Sequence, residues 1–262
     1  MSIYGHGIPA AVDVRVSALV VTGASRGIGA AVARLAAQRG YAVAVNYARD
    51  RAGAEDVVAE IERAGGRALA IAADVAREDE VAALFAQATH ALGPLSGLVN
   101  NAGITGGAAR LEDVGLEALE RTFAINVLGS FLCAREAVRQ LARSRGGAGG
   151  AIVNLSSRAA RLGGGGEWIH YAASKGAIDT LTRGLAVEVA PEGIRVNAVA
   201  PGLIETAIHA TSNVPDRLAR LAPSVPMRRA GTAEEVAEAV LWLLSPAASY
   251  VTGAILEVGG GR

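Results

Sequence analysis

Tyr171-Ala-Ala-Ser-Lys175 places a phenol and an ammonium one turn apart on a helix, so that both face the same side. A phenol ionises near pH ~10 and is a poor acid–base at neutrality. A lysine charge held beside it favours the phenolate and draws that value toward the working range, which suits proton exchange with a substrate oxygen. Just upstream, Ile152-Val-Asn-Leu-Ser-Ser157 reads as a strand ending in two hydroxyls. Either serine there can donate a hydrogen bond to an oxygen that gains charge. The Tyr–Lys spacing alone also describes many surface pairs, so its meaning rests on the elements around it.

The second chemical signal is Thr22-Gly-Ala-Ser-Arg-Gly-Ile-Gly29, between an apolar β-branched run and a helical segment. Gly23 suits a tight turn, Gly27 lets the backbone approach a pyrophosphate, and Gly29 permits close helix–strand packing. The helix N-terminus then offers unpaired N–H groups to phosphates. The spacing is G-x-x-x-G-x-G, and its place on the first βα junction makes it a dinucleotide turn. The next strand ends in Asn46-Tyr47-Ala48-Arg49, with no carboxylate to bind a ribose 2′-hydroxyl. Arg26 and Arg49 are placed to meet a 2′-phosphate, which favours NADP(H), with NAD(H) the alternative.

The elements that position these residues alternate. Strands are expected at Ser17–Thr22, Ala42–Asn46, Arg67–Ala73, Leu95–Asn100, Ala151–Leu155, Ile194–Ala200 and Gly253–Val258. Helices are expected at Ile28–Arg39, Ala52–Ala64, Glu78–Ala91, His170–Ala190 and Ala233–Leu244, with one or two across Leu116–Ala142. Apolar strands between amphipathic helices call for a parallel sheet covered on both faces, a single-domain, doubly wound α/β Rossmann fold of about seven strands. Residues 1–16 read as an N-terminal tail and 17–262 as the domain, with 203–227 a substrate lid.

The chain of 262 residues is 51% apolar, and its 25 basic and 25 acidic side chains cancel, so neither nucleic acid nor an anionic membrane is an expected partner. Cys133 is the only cysteine and the four histidines lack ligand spacing, which excludes an internal disulfide and predicts no metal site. No secretion signal and no apolar run of about 18 residues is seen, and the expected compartment is the cytoplasm.

Taken in order, Thr22 to Gly29, Asp74-Val75, Asn100-Asn-Ala-Gly103, Asn126, Ser156-Ser157, Tyr171 to Lys175, Pro201-Gly202 and Thr206 resemble the classical short-chain dehydrogenase/reductase family from Leu19 to the C-terminus. The resemblance implies hydride transfer between nicotinamide and a small carbonyl or alcohol. Tyr171 would be the acid–base, Lys175 would also hold the nicotinamide ribose, Ser157 would polarise the carbonyl, and Asn126 would hold a relay water. Cofactor contacts would come from Gly23, Ser25, Arg26, Gly27, Ile28 and Gly29, then from Asn46, Tyr47 and Arg49. Asp74 and Val75 would meet adenine, and Asn100, Ala102 and Gly103 the adenosine side. Pro201, Gly202, Ile204 and Thr206 would border the nicotinamide. A homotetramer is likewise implied.

Thirteen residues separate Ser157 from Tyr171, one more than the family pattern, so Ser156 stays an alternative to Ser157. The insertion carries Gly163 to Gly166, then a G-E-(aromatic)-x-x-Y approach similar to a poorly characterised bacterial branch. The family's breadth, from 3-oxoacyl-carrier-protein reductases to glucose-type dehydrogenases, leaves the substrate open. An NAD-dependent sugar or secondary-alcohol dehydrogenase and a non-catalytic NADP(H)-binding regulator are the rival readings. Cys133 is expected in the core, His170 at a helix cap or surface, Trp168 as a substrate cover or loop anchor, and Trp242 in the core or a subunit interface.

Overall fold

In a computed structural model describing residues 17–206 and 217–262, seven parallel strands form one sheet. They are β1 (Ala18–Val21), β2 (Ala42–Tyr47), β3 (Arg67–Ala72), β4 (Leu95–Asn100), β5 (Gly150–Leu155), β6 (Ile194–Pro201) and β7 (Ile255–Val258). Their spatial order is β3-β2-β1-β4-β5-β6-β7. Val20 of β1 stands between Ala44 of β2 and Leu98 of β4, and the chain reverses its winding at that β1/β4 junction. Such a reversal opens a crevice at the carboxyl ends of the strands.

The period of two along each strand sorts the core into two layers. Leu19 and Val21, Val43 and Val45, and Val153 and Leu155 pack on one face with α1 (Gly27–Gln38), α2 (Arg51–Arg63) and α9 (Ala233–Leu244). Ala18 and Val20, Ala42 and Ala44, and Ile152 pack on the other with α3 (Glu78–Leu92), α5 (Gly129–Leu141) and α7 (Ile169–Val189). Small residues let α1 lie close to α9: Ala30, Ala33 and Ala37 share a core with Val236, Ala237 and Val240. A Thr232–Glu235 capping box starts α9.

The expected elements are all present, with shifted ends. The last strand starts at Ile255, because Gly253 takes a left-handed φ of 78° and sends its N–H to Val196. The span 116–142 resolves into α4 (Leu116–Phe123), a π-helical turn at Ala124–Leu128, and α5. Two short helices, α6 (Ala159–Leu162) and α8 (Arg217–Leu221), flank the sheet's carboxyl edge. The tail 1–16 and positions 207–216 of the expected lid lie outside the described residues.

Candidate active site

The crevice is a cavity of about 1110 Å³ walled by the glycine turn, the ends of β2, β4, β5 and β6, and the start of α7. That is ample for an extended ligand with a second small molecule beside it. Gly23 (φ 59°) and Gly27 (φ 57°) take left-handed backbone in the turn. A Cβ on Gly29 would come within 2.5 Å of the Asn101 amide nitrogen and 2.6 Å of the Gly23 carbonyl. The glycine there therefore makes room for a hub: Asn101 Nδ2 donates to the carbonyls of Thr22 (2.8 Å) and Gly23 (2.9 Å). In return Thr22 Oγ1 accepts from the N–H groups of Asn101 and Ala102, each at 3.0 Å. Helix α1 begins without a side-chain cap and without an acid in its first turn, leaving its dipole end to the cavity.

At the end of β2, Asn46 is buried and accepts from Gly23 N–H at 3.2 Å while its amide donates to the Ala73 carbonyl at 3.0 Å. It is thus a strut under the turn as well as a wall residue. Tyr47 and Arg49 line the same end, as does Arg26, whose guanidinium lies 3.7 Å from Asp50. Asp50 caps α2 through Gly53 N–H. On the opposite wall Asp74 accepts from Ala76 N–H at 3.0 Å and stands 3.8 Å from the Arg121 guanidinium.

The Tyr171 and Lys175 side chains meet at the other end. Lys175 Nζ lies 5.8 Å from the Tyr171 ring centroid and donates to the Leu155 carbonyl at 2.6 Å. Burial draws the lysine down to about pH 8, and Asp179 partly offsets this. Both serines border the cavity but differ in their bonds: Ser156 is buried and its hydroxyl donates to Asp179 at 2.5 Å, whereas the Ser157 hydroxyl accepts from Ala159 N–H at 3.1 Å. Among the described residues the Ser157 hydroxyl donates to no protein group. The extra residue before Tyr171 is taken up by α6 and left-handed turns at Gly163, Gly164 and Gly166.

Three expected site residues stand behind the wall: Gly29, Asn100 and Asn126. The Asn100 amide points into the protein, donating to Asn154 (3.0 Å) and the Ser130 carbonyl (3.1 Å), and the neighbouring Asn101 does the work at the turn. Asn126 sits fully buried in the π-helical turn, a distortion that recurs at functional sites. It grips Ile104 at both backbone groups (2.8 and 2.9 Å) and donates to Ser174 at 2.9 Å. A Cβ on Gly103 would lie 3.2 Å from Asn126 Oδ1 and 3.5 Å from Lys175 Nζ, so Asn126 supports the loop facing the lysine. The remaining expected residues line the cavity.

Sequence reading missed Asn101, Arg121, Arg158 and the Thr105–Gly107 wall. Only the second asparagine of Asn100-Asn101 carried a local hint. Trp168 lines the cavity, its backbone N–H donates to the Gly164 carbonyl at 2.7 Å, and its ring meets Tyr171 edge-on at 6.1 Å. His170 is corrected: Trp168 holds the cap position and His170 is buried at 3% exposure. Trp242 is 41% exposed and so is not core. Cys133 is core, with burial pushing its thiol up to about 12. Among the described residues no cluster of metal-ligating side chains occurs, and no helix is long and apolar enough to cross a membrane.

A Rossmann sheet with a Tyr–Lys–Ser constellation at its carboxyl edge defines a class, and comparison with known proteins agrees. The family model described as enoyl-(acyl carrier protein) reductase matches residues 23–262. The chain belongs to the classical short-chain dehydrogenase/reductase family of oxidoreductases. It is 52% identical to the uncharacterized oxidoreductase YgfF of Escherichia coli (strain K12) over 93% of this chain and 98% of that one. A short-chain type dehydrogenase/reductase from Mycobacterium marinum superposes with a TM-score of 0.89 at 37% identity, covering 97% and 98% of the two chains. A 7α-hydroxysteroid dehydrogenase complexed with NADH and 7-oxo glycochenodeoxycholic acid gives 0.87 at 34%, covering 95% and 96%.

Proposed function

We propose that this protein is an NADP(H)-dependent oxidoreductase acting on a small carbonyl or alcohol by Tyr–Lys acid–base chemistry. The observation that carries the reading is the shared cavity: Tyr171, Lys175 and Ser157 line one end, and Arg26, Tyr47 and Arg49 line the other. The site fits a dinucleotide, because the uncapped α1 N-terminus and the left-handed Gly27 turn together form a cradle for phosphates. Gly23, Ser25, Gly27 and Ile28 would hold the pyrophosphate, Asp74 and Val75 the adenine, and Pro201, Gly202, Ile204 and Thr206 the nicotinamide. When bound, the cofactor supplies or accepts the hydride.

The chain's own residues manage the proton and the charge. Ser157 donates its free O–H to the substrate oxygen, and Tyr171 gives that oxygen a proton in reduction or takes one in oxidation. Lys175 holds positive charge beside the phenol and would bind the ribose. The hub of Thr22 and Asn101 and the Asn126–Ile104 clamp keep both ends of the cavity in register.

Arg49 carries the choice of NADP(H), since it is exposed at the cavity rim where a 2′-phosphate would stand. The alternative, NAD(H), has support in the NADH bound to the hydroxysteroid dehydrogenase and in Asp50, which lines the same end. A homotetramer is part of the proposal: Leu116 of α4, Leu128 of the π-helical turn and Phe131 of α5 are exposed apolar side chains. So are a cytoplasmic location, a tail at 1–16 and a lid at 203–227 over the nicotinamide end. The deciding experiment is NADPH and NADH oxidation across sugars, ketones and acyl thioesters. Turnover by wild type, and its loss in Tyr171→Phe with NADPH affinity unchanged, is the expected result. Near-normal turnover in that variant overturns the mechanism.

A further inference from the structure

Helix α7 and the α4–π segment face each other through two polar pairs, each one turn from the next. The first is Asn126 and Ser174, hydrogen-bonded at 2.9 Å. The second, four residues earlier on both elements, is Thr122 and His170. Thr122 is fully buried and His170 is 3% exposed, yet among the described residues neither the Thr122 hydroxyl nor either His170 ring nitrogen has a hydrogen-bond partner. Buried polar groups without a protein partner are ordinarily satisfied by ordered water.

The position of Gly106 shows how close they are. A Cβ there would lie 2.3 Å from Thr122 Oγ1 and 2.7 Å from His170 Nε2, so the two atoms are separated by no more than the sum of those distances. They make no direct hydrogen bond, and the span suits one bridging molecule the size of water. Gly106 itself forms the cavity wall in front of the pair, with a left-handed φ of 75°.

We propose that Thr122 and His170 share one buried water, and that this hydrated pair is a positioning site for the Thr105–Gly107 wall beside Tyr171. The pairing mirrors the lower one: Asn126 supports the loop at Ile104 directly, and the Thr122–His170 pair supports it at Gly106 through the water.

The proposal is independent of the reaction, and its first test needs no substrate. In thermal unfolding, Thr122→Val is expected to lower Tm by about 2–4 °C, Thr122→Ser to restore it, and His170→Phe to add nothing further once Thr122 is Val. A rise in Tm for Thr122→Val overturns the proposal, because removing a dry, unpartnered hydroxyl stabilises. Additive losses overturn it too, since two groups sharing one water must couple. His170→Gln, which keeps a polar atom near the Nε2 position, serves where the Phe variant does not fold. A crystal structure at 1.5 Å or better should show the water, and its absence there refutes the site. For any carbonyl substrate found, Thr122→Val should raise its KM about threefold or more with kcat and NADPH affinity unchanged, and an unchanged KM removes the positioning role.

Discussion

The Ser156 hydroxyl lies 2.5 Å from the Asp179 carboxylate, a bond that joins the end of β5 to α7 and takes Ser156 out of the cavity's chemistry. Ser157, next in the chain, borders the same cavity with its hydroxyl bonded only as an acceptor, from Ala159 N–H, among the described residues. Ser157→Ala should therefore lower kcat about 10²–10³-fold with NADPH affinity kept. Ser156→Ala should lower Tm and leave kcat within a few-fold. Steady-state kinetics beside thermal melts would check both, and the reverse pattern would reassign the hydroxyl.

Lys175 has a stability cost with a defined pH signature. Its folded value, about 8, is below the ordinary lysine value of 10.5, and burial is the cause. Between those values the unfolded chain binds more protons than the folded one, so stability rises with pH across the window; below about pH 8 the full cost is present. That cost is at most about 3 kcal/mol, and loss of the bond to the Leu155 carbonyl offsets part of the relief in a variant. Lys175→Met should be inactive yet more stable without cofactor by about 1–2 kcal/mol at pH 7, with the gap closing toward pH 10.5. Urea unfolding at several pH values measures this, and a less stable variant at pH 7 contradicts it.

Arg49 should separate the two cofactors. Arg49→Ala removes a charge-assisted partner for a 2′-phosphate, so NADPH affinity should fall roughly tenfold while NADH binding changes little. Equal losses for both dinucleotides, read by fluorescence titration, would argue against the assignment.

Gly29→Ala tests the hub. Its methyl would sit 2.5 Å from Asn101 Nδ2 and 2.6 Å from the Gly23 carbonyl, both rigidly held. Tm should fall by several degrees and dinucleotide affinity by at least tenfold. An alanine tolerated there would mean that the Asn101 bridge is dispensable.

Much of the site was readable in advance because its signals are local. Tyr171 and Lys175 are one helical turn apart, and the glycine turn is bounded by the strand and helix it joins. The residues missed act across long stretches of chain: Asn101 reaches Thr22 and Arg121 reaches Asp74. No spacing rule covers such pairs. His170 was misjudged because adjacent helical positions differ in direction, and only the packing of α7 against α4 shows which direction is inward.

By itself the sequence determined the parallel α/β architecture, since buried apolar strands alternating with amphipathic helices have few other ways to cover both faces. It also determined where a dinucleotide turn and a Tyr–Lys pair fall along the chain. Only the tertiary structure decided which of two serines is bound to Asp179, which of two asparagines ties the turn, and that His170 and Thr122 meet in the interior. Those choices turn on differences of a few ångströms between distant segments, and they are settled by packing and hydrogen-bond satisfaction that no local pattern records.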